Sequence, residues 1–584
     1  MDQKGGAEVN IGAGADQDRE RERQAAATTL TLARKLADEK KRSWRKNWLI
    51  AGIATVALAA HYYSLPHMHA PQQQLDAHSQ PSYYPEPVTL DGVALPAVTP
   101  PVTRTASTLQ DCLDSICAGR ANCVHYAGGG GLYKYFSEWI KPLNLAYLIT
   151  PAAVIRPKNV TEVAAVVKCA AKNGVKVQAK SGGHSYANYG SGGQDGAISI
   201  DLVNFQYVWV NTTASSWQAH VGAGSKLGDV DDKLGPYKRA FAHGICPGVG
   251  IGGHATIGGL GPMSRMWGTC LDHVEEVEVV TATGTILRAS TTQNADLFWA
   301  LRGAGAGFGI ITEFVLKTHP EPAEVVDYVY NFQYSHLPEM VDFFMAWQKL
   351  VADPTLDRRL GTEFTLYPFG ARVTATWYGS QAEFVSSGIM DRLPSGNDTV
   401  GLSRNTWLGH LLNQAQKEAL RLGDVPNPFY SKSLGFTRQD LLTRAQTLDL
   451  FQWVDKSPKG TLAWFVIFDA TGGKVADFGN TTAYAHRDKV FFYQSYAINV
   501  LRVSSTTRAF LEGFHNKLLS YLPAGETHGT YPGYVDPFLK FPQQEYWLAN
   551  LPALEGIKAK WDAADLFHNP QSVRPAVKKK GTAS

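Results

Sequence analysis

The sequence predicts an α+β fold in two parts. Over residues 106–325, strand-like and helical segments alternate with glycine-rich loops. Residues 326–530 lack these loops and contain apolar, strand-like runs with helical stretches between or after them. The second pattern is typical of an antiparallel sheet backed by helices. With 584 residues, the chain is long enough to bury more than one hydrophobic core.

The order of elements in the first part follows from the periodicity of its apolar residues. Thr161 is a suitable cap for a helix with apolar residues at helical spacing, and Gly174 is a suitable end for it. Residues 175–180 alternate as a strand does and lead into a glycine-rich loop. Residues 197–202 and 274–280 are predicted as further strands.

The second part contains the longer apolar runs. Residues 373–378, 463–468 and 489–499 are predicted as strands because they are rich in β-branched and aromatic residues. Residues 338–351 and 505–521 have helical spacing. These elements would form the sheet and the helices that cover it.

Composition argues against one class of function. The chain has 55 basic and 52 acidic residues, a net charge of +3, and no basic run is interleaved with aromatic residues. Binding to nucleic acid therefore has little support. The 14 Trp, 25 Tyr and 25 Phe suit a protein that stacks on rings, although most aromatic residues pack in cores.

The N-terminal region differs from the rest of the chain. Residues 1–47 are polar and charged, and are predicted to form a cytosolic tail. Residues 48–65 are apolar behind a basic flank, which predicts an uncleaved signal anchor, with a cleaved signal peptide as the alternative. Residues 66–105 are typical of a linker, and residues 578–584 of a short tail. The main body is therefore expected in the secretory pathway, membrane-anchored with a lumenal or extracellular catalytic domain, or secreted.

Two further features agree with this compartment. Four N-x-S/T sequons predict a glycoprotein, at Asn159, Asn211, Asn397 and Asn480. Disulfide pairing is expected outside the cytosol, and the candidate cysteines are Cys112, Cys117, Cys123, Cys169, Cys246 and Cys270.

Two glycine-rich loops carry the candidate cofactor-binding residues. Glycine lets a backbone approach a planar ring or a pyrophosphate closely. The imidazole of His184 and the thiol of Cys246 are nucleophiles on such loops, so both could bond covalently to one cofactor. The candidate residues of the two loops are Ser181, Gly182, Gly183, His184, Cys246, Gly250, Gly252, Gly253 and His254.

These loops resemble those of the FAD-linked oxidases of the berberine-bridge-enzyme and glucooligosaccharide-oxidase family, which have a PCMH-type FAD-binding domain of the vanillyl-alcohol-oxidase type. Residues 296–312 resemble the family's DLFWALRGGGGGNFGIVT segment. Residues 546–572 resemble its closing YYGxNLxRLxxIKxKYDPxxxFxxPQS segment, with Ala563 in place of the proline. The resemblance covers about residues 108–577.

The resemblance implies a domain organisation and a cofactor. The FAD-binding domain would span residues 106–325, with a C-terminal return to it over 531–577, and the substrate domain would span 326–530. FAD would be attached covalently through both His184 and Cys246.

The resemblance also bears on the cysteines. It implies a disulfide between Cys112 and Cys169. We expect Cys117 and Cys123 to pair locally, which leaves Cys270 buried without a disulfide.

The catalytic candidates lie near the C-terminus. Family members carry the catalytic base in a YxNYxD motif, and here Tyr534 matches the base within Tyr531-Pro-Gly-Tyr-Val-Asp536, with Gly533 in place of the asparagine. A tyrosine with a lowered pKa is the expected base. Asp469 matches a carboxylate that precedes the family's LYGG turn, so it would tune or orient Tyr534. A turn or cap role for Asp469 is the alternative.

Three residues are candidates for substrate binding. Tyr186 follows His184 by two residues, where the family's carbohydrate oxidases have a tyrosine that contacts sugar. Gln494 and Tyr496 alternate along one predicted strand and match the family's Gln-x-Tyr pair. An amide and an aromatic ring on one face suit a sugar, and the same face could hold a phenolic or alkaloid substrate.

The resemblance therefore predicts an FAD-dependent oxidase acting on CH–OH groups. It would oxidise the anomeric carbon of a reducing sugar or oligosaccharide to a lactone, with O₂ reduced to H₂O₂. A biosynthetic oxidase or oxidative cyclase acting on a secondary metabolite is the alternative, which a membrane anchor favours. A catalytically silent flavoprotein or glycan-binding module is a third hypothesis. No metal site is predicted.

Overall fold

The structure is a computed structural model, in which the predicted N-terminal segments (1–47, 48–65 and 66–105), the sequon at Asn397 and the tail 578–584 lie outside the described residues. Within the described part of the chain, no helix is long and apolar enough to cross a membrane. The described residues are 106–126, 138–213, 217–333, 337–392, 400–407, 409–411, 413–414, 426–523, 525 and 527–577.

The first part of the chain contains three sheets. A four-stranded sheet has the order β1-β2-β4-β3, with β4 parallel to β2 and β3. A five-stranded antiparallel sheet has the order β5-β6-β10-β8-β9, and β7 pairs with β11. The strands are β1 (Val124–Tyr126), β2 (Ala153–Ile155), β3 (Val177–Lys180), β4 (Ile198–Asp201), β5 (Val208–Asn211), β6 (Gln218–Gly222), β7 (Arg239–Ala240), β8 (Val274–Val280), β9 (Ile286–Ser290), β10 (Ile310–Lys317) and β11 (His319–Pro320).

The helices of the first part pack against these sheets. The helix predicted after residue 160 is present, but its N-cap is Asn159 and not Thr161, because the Asn159 side chain accepts a hydrogen bond from the backbone N–H of Glu162. Gly174 ends the helix in the left-handed conformation, as predicted. The helices are α1 (Ala106–Cys117), α2 (Val160–Asn173), α3 (Leu227–Leu234), α4 (Ile251–Ile257), α5 (Ser264–Trp267) and α6 (Ala295–Ala304).

The second part is built on one seven-stranded antiparallel sheet. Its order is β15-β12-β14-β13-β17-β18-β16. The three predicted strands are β14, β17 and β18, and the other four were not predicted. The strands are β12 (Val325–Gln333), β13 (Leu360–Tyr367), β14 (Gly370–Tyr378), β15 (Val400–Asn405), β16 (Phe429–Phe436), β17 (Ala463–Ala470) and β18 (Phe491–Ile498).

Helices cover one face of this sheet, which confirms the predicted α+β architecture. Phe364, Phe468 and Tyr493 share a buried core with Phe344 and Phe514 of the covering helices. Because side chains alternate along a strand, the neighbours of these residues point to the opposite face. The helices of this part are α7 (Leu337–Ala352), α8 (Gln381–Ser386), α9 (Ile389–Arg392), α10 (Arg444–Lys456), α11 (Lys474–Asp477) and α12 (Ser505–Leu519).

The end of the chain packs in the core of the first part. Trp547 of α13 (Pro542–Trp547) and Leu554 of α14 (Leu551–Trp561) belong to the same buried cluster as Val163 and Phe298. On α14, Lys558 is fully buried. Its ammonium lies 2.7 Å from the Asp562 carboxylate and donates to the carbonyl oxygens of Gly307 (2.6 Å) and Phe567 (2.9 Å).

The cysteines of the first part pair as predicted. Cys112 on α1 is bonded to Cys169 on α2, and Cys117 is bonded to Cys123. Cys270 is buried and takes part in no disulfide among the described residues.

The burial of Lys558 predicts a large effect on stability. Replacing Lys558 by Met leaves the Asp562 carboxylate buried without its cation, and removing one partner of a buried pair costs about 3–5 kcal/mol. The matched control is Lys560→Met on the same helix, where the pair with Asp296 is exposed and contributes about 1 kcal/mol or less. Urea denaturation monitored by Trp fluorescence compares the two variants. Equal denaturation midpoints of the two variants would contradict the stabilising role of the buried Lys558–Asp562 pair.

Candidate active site

A cavity of about 400 Å³ lies between the glycine-rich loops of the first part and the uncovered face of the seven-stranded sheet. Its walls also include the segment 303–307 and the loop 531–535. Gly252 does not line it, because it packs behind the wall on Ala223 and Ser181. The other predicted site residues all line the cavity: Ser181, Gly182, Gly183, His184, Tyr186, Cys246, Gly250, Gly253, His254, Asp469, Gln494, Tyr496 and Tyr534.

The two glycine-rich loops are in direct backbone contact. A Cβ on Gly182 would lie 2.4 Å from the backbone nitrogen of Gly250, and a Cβ on Gly250 would lie 2.0 Å from that of Gly182. The Ser181 hydroxyl donates to the Ala223 carbonyl (2.6 Å) and accepts from the Gly252 N–H (3.3 Å). This contact brings His184 and Cys246 to one cavity.

Two histidines hold the loop that precedes Cys246. The backbone N–H of Gly244 donates to Nε2 of His254 (2.9 Å), and the Gly244 carbonyl accepts from Nδ1 of His243 (2.7 Å). Burial lowers the pKa of His254 to about 3, so this histidine is neutral and its Nε2 can accept. Burial also opposes charge on His243, but the carboxylate of Asp231, 3.0 Å away, outweighs it and raises the pKa of His243.

The cavity suits a flat, extended cofactor. Glycines are frequent in the wall at the two loops and at residues 303–307, and a Cβ built on Gly253 would meet no described atom within 4 Å. The volume lies in the range of cofactor and ligand pockets. An imidazole and a thiol stand in the same wall, so the residues present fit FAD attached at two points.

The sheet presents its side chains to the cavity in rows set by strand register. Glu363 of β13 lies opposite Asp469 of β17. In the next rows along β17, Ile467 lies opposite Gln494, and Phe465 lies opposite Tyr496. All six residues line the cavity, which therefore runs from a carboxylate end to an aromatic end.

The three predicted substrate-binding residues come together in this cavity. The Gln494 amide donates to the Tyr186 hydroxyl over 2.8 Å. The Tyr186 ring packs edge-on against Tyr496, with centroids 5.9 Å apart, and is roughly parallel to the ring of Tyr534 at 6.3 Å. The Gln494 amide and the phenols of Tyr186 and Tyr534 therefore lie in one cavity with the aromatic ring of Tyr496.

The environment of Tyr534 differs from the expectation of a lowered pKa. Burial raises the pKa of Tyr534 well above its usual value, and the nearby carboxylates of Asp469 and Glu363 add to the effect. The expectation was wrong in direction because two negative charges and a low-dielectric wall both disfavour a phenolate. Asp469 lies within strand β17 and not in a turn.

The loop that carries Tyr534 is fixed at both ends. The Tyr531 hydroxyl accepts from the backbone N–H groups of Gly259 (2.8 Å) and Leu260 (3.2 Å), and the Asp536 carboxylate accepts from Lys432 (2.6 Å). A Cβ at Gly533 would lie 2.3 Å from the Tyr531 ring, so the asparagine of the family motif does not fit this arrangement of the loop.

Sequence reasoning missed several lining residues, above all Glu363. The strand that carries it was not predicted, although its sequence, Leu360–Tyr367, alternates in the manner of a strand. The aromatic and apolar members of the wall, Phe465 and Ile467, lie in a predicted strand, but nothing local marks them as facing a cavity.

An imidazole and a thiol on interlocked glycine-rich loops, facing a tyrosine and carboxylates across one cavity, define a flavin-dependent oxidoreductase. Comparison with known proteins agrees. Residues 151–290 match the FAD binding domain, and residues 530–574 match the domain described as berberine and berberine like. The chain belongs to the berberine-bridge-like family of FAD-linked oxidoreductases, and FAD is its cofactor.

Relatives and solved structures cover most of the chain. The FAD-linked oxidoreductase sorD of Penicillium rubens is 35% identical over 81% of this chain and 99% of that protein. The xylooligosaccharide oxidase from Myceliophthora thermophila C1, solved in complex with xylobiose, has a TM-score of 0.72 and 30% identity, covering 80% of this chain and 100% of that one. The glucooligosaccharide oxidase from Acremonium strictum, described with 6-S-cysteinyl, 8α-N1-histidyl FAD, has a TM-score of 0.70 and 29% identity over 80% and 100%.

The loop contact predicts that Gly182→Ala destabilises the protein. The added Cβ meets backbone atoms of Gly250, which can move only with the whole loop, and overpacking of this kind costs about 1–3 kcal/mol. The matched control is Gly556→Ala, on the exposed side of α14 with no described atom within 4 Å of the new Cβ, which should gain about 0.5–1 kcal/mol from helix propensity. Thermal unfolding of both purified variants measures the difference, and equal stability would contradict the contact.

Proposed function

We propose that this protein is an oxidase whose FAD is attached through two covalent bonds, one to His184 and one to Cys246. Their position in one cavity wall supports this, as does the doubly attached FAD named for glucooligosaccharide oxidase. The hydrogen bonds of His243 and His254 to Gly244 would hold the Cys246 loop in place for attachment of FAD. We further propose that Ser181, Gly182, Gly183, Gly250, Gly253 and His254 contact the cofactor, and that Gly252 supports them from behind.

The proposed domains follow the two cores. Residues 106–325 with the return 531–577 would form the FAD-binding domain, and residues 326–530 the substrate domain. Most core residues between 113 and 316 and between 546 and 573 fall in one cluster, and most of those between 326 and 522 in another, although Ala483 packs in the first; this supports the division.

Tyr534 would act on the proton of the substrate hydroxyl. Bound FAD supplies the acceptor for the two electrons that leave the alcohol carbon. Because the pKa of Tyr534 is raised, its phenol is neutral, and it can take the hydroxyl proton only while passing its own proton to a neighbour. Asp469 is the proposed neighbour, since its carboxylate acts on Tyr534 more strongly than any other charged group does.

The substrate we propose is a reducing sugar or oligosaccharide, oxidised at its anomeric carbon to a lactone, with O₂ reduced to H₂O₂. The observation that carries this proposal is the hydrogen bond between Gln494 and Tyr186. It places an amide and a hydroxyl beside the aromatic ring of Tyr496, which is the combination that recognises sugar hydroxyls together with the C–H face of a sugar ring. The xylobiose complex of a structural neighbour agrees with this choice.

One observation favours a second candidate, a biosynthetic oxidase of a secondary metabolite. Ile467 places a branched aliphatic side chain on the cavity wall between the carboxylates and Tyr496, Phe465 places an aromatic ring opposite Tyr496, and Leu143 lies in the same cavity. Such a wall suits a phenolic or polyketide ring more than a hydroxyl-rich chain.

We propose a secretory route for the protein. Two disulfides in the first part, Cys112–Cys169 and Cys117–Cys123, support it because such bonds persist in oxidising compartments. The anchor or signal peptide over residues 48–65 stays a prediction.

Covalent attachment can be tested one bond at a time. His184→Ala and Cys246→Ala should each keep FAD attached through the remaining bond, and the double variant should release it on denaturation. The matched control is Cys270→Ala, which removes a buried thiol whose pKa burial raises, so that it is a poor nucleophile. Flavin fluorescence on a denaturing gel and peptide mass spectrometry report attachment. Release of flavin from either single variant would contradict the two-bond proposal.

Substrate class is tested by bleaching of the flavin. The full-length protein, expressed in a secretory host, should lose its yellow colour under anaerobic conditions when reducing mono- or oligosaccharides are added. Tyr534→Phe should stay yellow and be reduced about 10²–10⁴-fold more slowly, because it cannot exchange a proton with the hydroxyl. A yellow wild-type protein that no sugar bleaches would overturn the sugar proposal and favour the biosynthetic oxidase, and a colourless protein would contradict FAD attachment.

A further inference from the structure

We propose that Glu363 is a second carboxylate of the proton-transfer apparatus, and that Glu363 and Asp469 share one proton at neutral pH. The pair then accepts the proton that Tyr534 releases. The inference rests on the proposed function for its place in the reaction, whereas the sharing of a proton stands on the geometry of the sheet alone.

Strand register places the two carboxylates together. Glu363 and Asp469 are directly opposed Cα partners in the antiparallel ladder of β13 and β17. Opposed residues have Cβ atoms about 4.5–5.5 Å apart and point to the same face of a sheet. Both residues line the cavity. Two carboxyl groups on such short stems are within reach of a common hydrogen bond.

The direction of the Glu363 side chain follows from its neighbours on β13. Thr362 accepts a hydrogen bond from the indole N–H of Trp347 on α7, so its side chain faces the helices. Phe364 packs on Phe344 of the same helix. Glu363 lies between them and therefore faces the other way, toward the FAD-binding part, as does Asp469 beside the core residue Phe468.

Two like charges at this separation in a largely apolar cavity resist ionising together. In such a pair the first proton leaves easily, because the remaining carboxyl group donates a hydrogen bond to the new carboxylate. The second proton is held, because its loss would place two negative charges side by side. The pair then carries one proton and a charge of −1.

The surroundings of the pair are rich in phenols. Tyr534 and Tyr531 face it from the loop 531–535, and Tyr186 from the first glycine-rich loop lies against Tyr534. Tyr378 of β14 does not line this cavity but is within the electrostatic influence of Asp469. Burial raises the pKa of Tyr378, and the charges of Asp327 and then Asp469 add to the effect. Burial also raises the pKa of Tyr531, more than the hydrogen bonds from Leu260 and Gly259 lower it, so both phenols are neutral.

Basic side chains also border or line the cavity. Arg265, on α5, is buried and donates to the backbone carbonyls of Leu360, Thr471 and Leu356. Lys180 at the end of β3 and His184 on the first glycine-rich loop line the cavity, as does His254 of α4, which is neutral.

The carboxylate pair accepts the proton that Tyr534 releases during the step. The O–H bond of the substrate breaks and its proton binds the Tyr534 oxygen. The original phenol proton passes to the pair, whose charge changes from −1 to zero. The electron pair of the substrate C–H bond leaves with hydride to FAD, and O₂ is the final oxidant. Glu363 thus acts through Asp469, as a residue that sets its proton affinity and position.

The first test is spectroscopic and needs no substrate. Infrared spectra of the full-length holoenzyme at neutral pH should show the carbonyl stretch of a protonated carboxylic acid. Glu363→Gln and Asp469→Asn should each abolish this band, because the remaining carboxyl group ionises once its charged neighbour is gone. The matched control is Glu339→Gln, an exposed residue of α7 outside the cavity, which should keep the band.

The second test is the pH profile of anaerobic flavin reduction. In Glu363→Gln the acid limb, which is the fall in rate at low pH, should move to higher pH, because the Gln amide N–H donates a weaker hydrogen bond to the Asp469 carboxylate than the carboxylic O–H of Glu363 does. Glu363→Asp keeps a carboxyl group and should leave the limb at its wild-type position. A residue with only a structural role would lower the rate without moving the limb.

Several outcomes would overturn the inference. They are a wild-type spectrum without the band, a band that survives in both single variants, or an acid limb that stays in place in Glu363→Gln. Should the band behave as expected while no sugar bleaches the flavin, the shared proton stands and the proposed sugar oxidation fails. The two ideas are therefore separable in one set of samples.

Discussion

The backbone contact between Gly182 and Gly250 is the constraint on which the site depends. Two loops that are more than 60 residues apart in the chain approach each other so closely that neither glycine has room for a Cβ. His184 and Cys246 therefore reach the same wall. The hydrogen bonds of Ser181, His243 and His254 then fix the loops in this arrangement. Opposite them, the sheet can present a fixed pattern of side chains only because helices fill its other face.

The register of the strands sets the order of the functional side chains along the cavity. Its rows run from the carboxylates of Glu363 and Asp469 to the rings of Phe465 and Tyr496, with Gln494 between them. Proton transfer and substrate recognition would thus be arranged along three adjacent strands, β13, β17 and β18, which hold side chains more precisely than loops do. The hydrogen bond from Gln494 to Tyr186 joins this wall to the loop that carries His184.

Local patterns allowed much of the fold to be predicted, whereas most of the candidate site residues came from the resemblance to a family. The glycine-rich loops, the helix ended by Gly174, and strands β14, β17 and β18 each carry a signal within a short window. Glu363 could not be found in this way, because its importance comes from pairing with a strand about 100 residues away. The direction of the Tyr534 pKa was missed for a related reason, since burial and neighbouring charge belong to the assembled cavity. The helix is capped by Asn159 and not by the predicted Thr161, and this difference of two residues is within the usual scatter of helix ends.

The burial of Lys558 also orders events during synthesis. Its ammonium holds the carbonyl of Gly307, so the glycine-rich segment of the first part acquires one of its anchors only from α14, about 250 residues later in the chain. Synthesis proceeds from the N-terminus, so the segments that precede α14 are made before this anchor is available. The part of the flavin-site wall formed by residues 303–307 therefore gains its hydrogen bond to Lys558 only when α14 has packed against it.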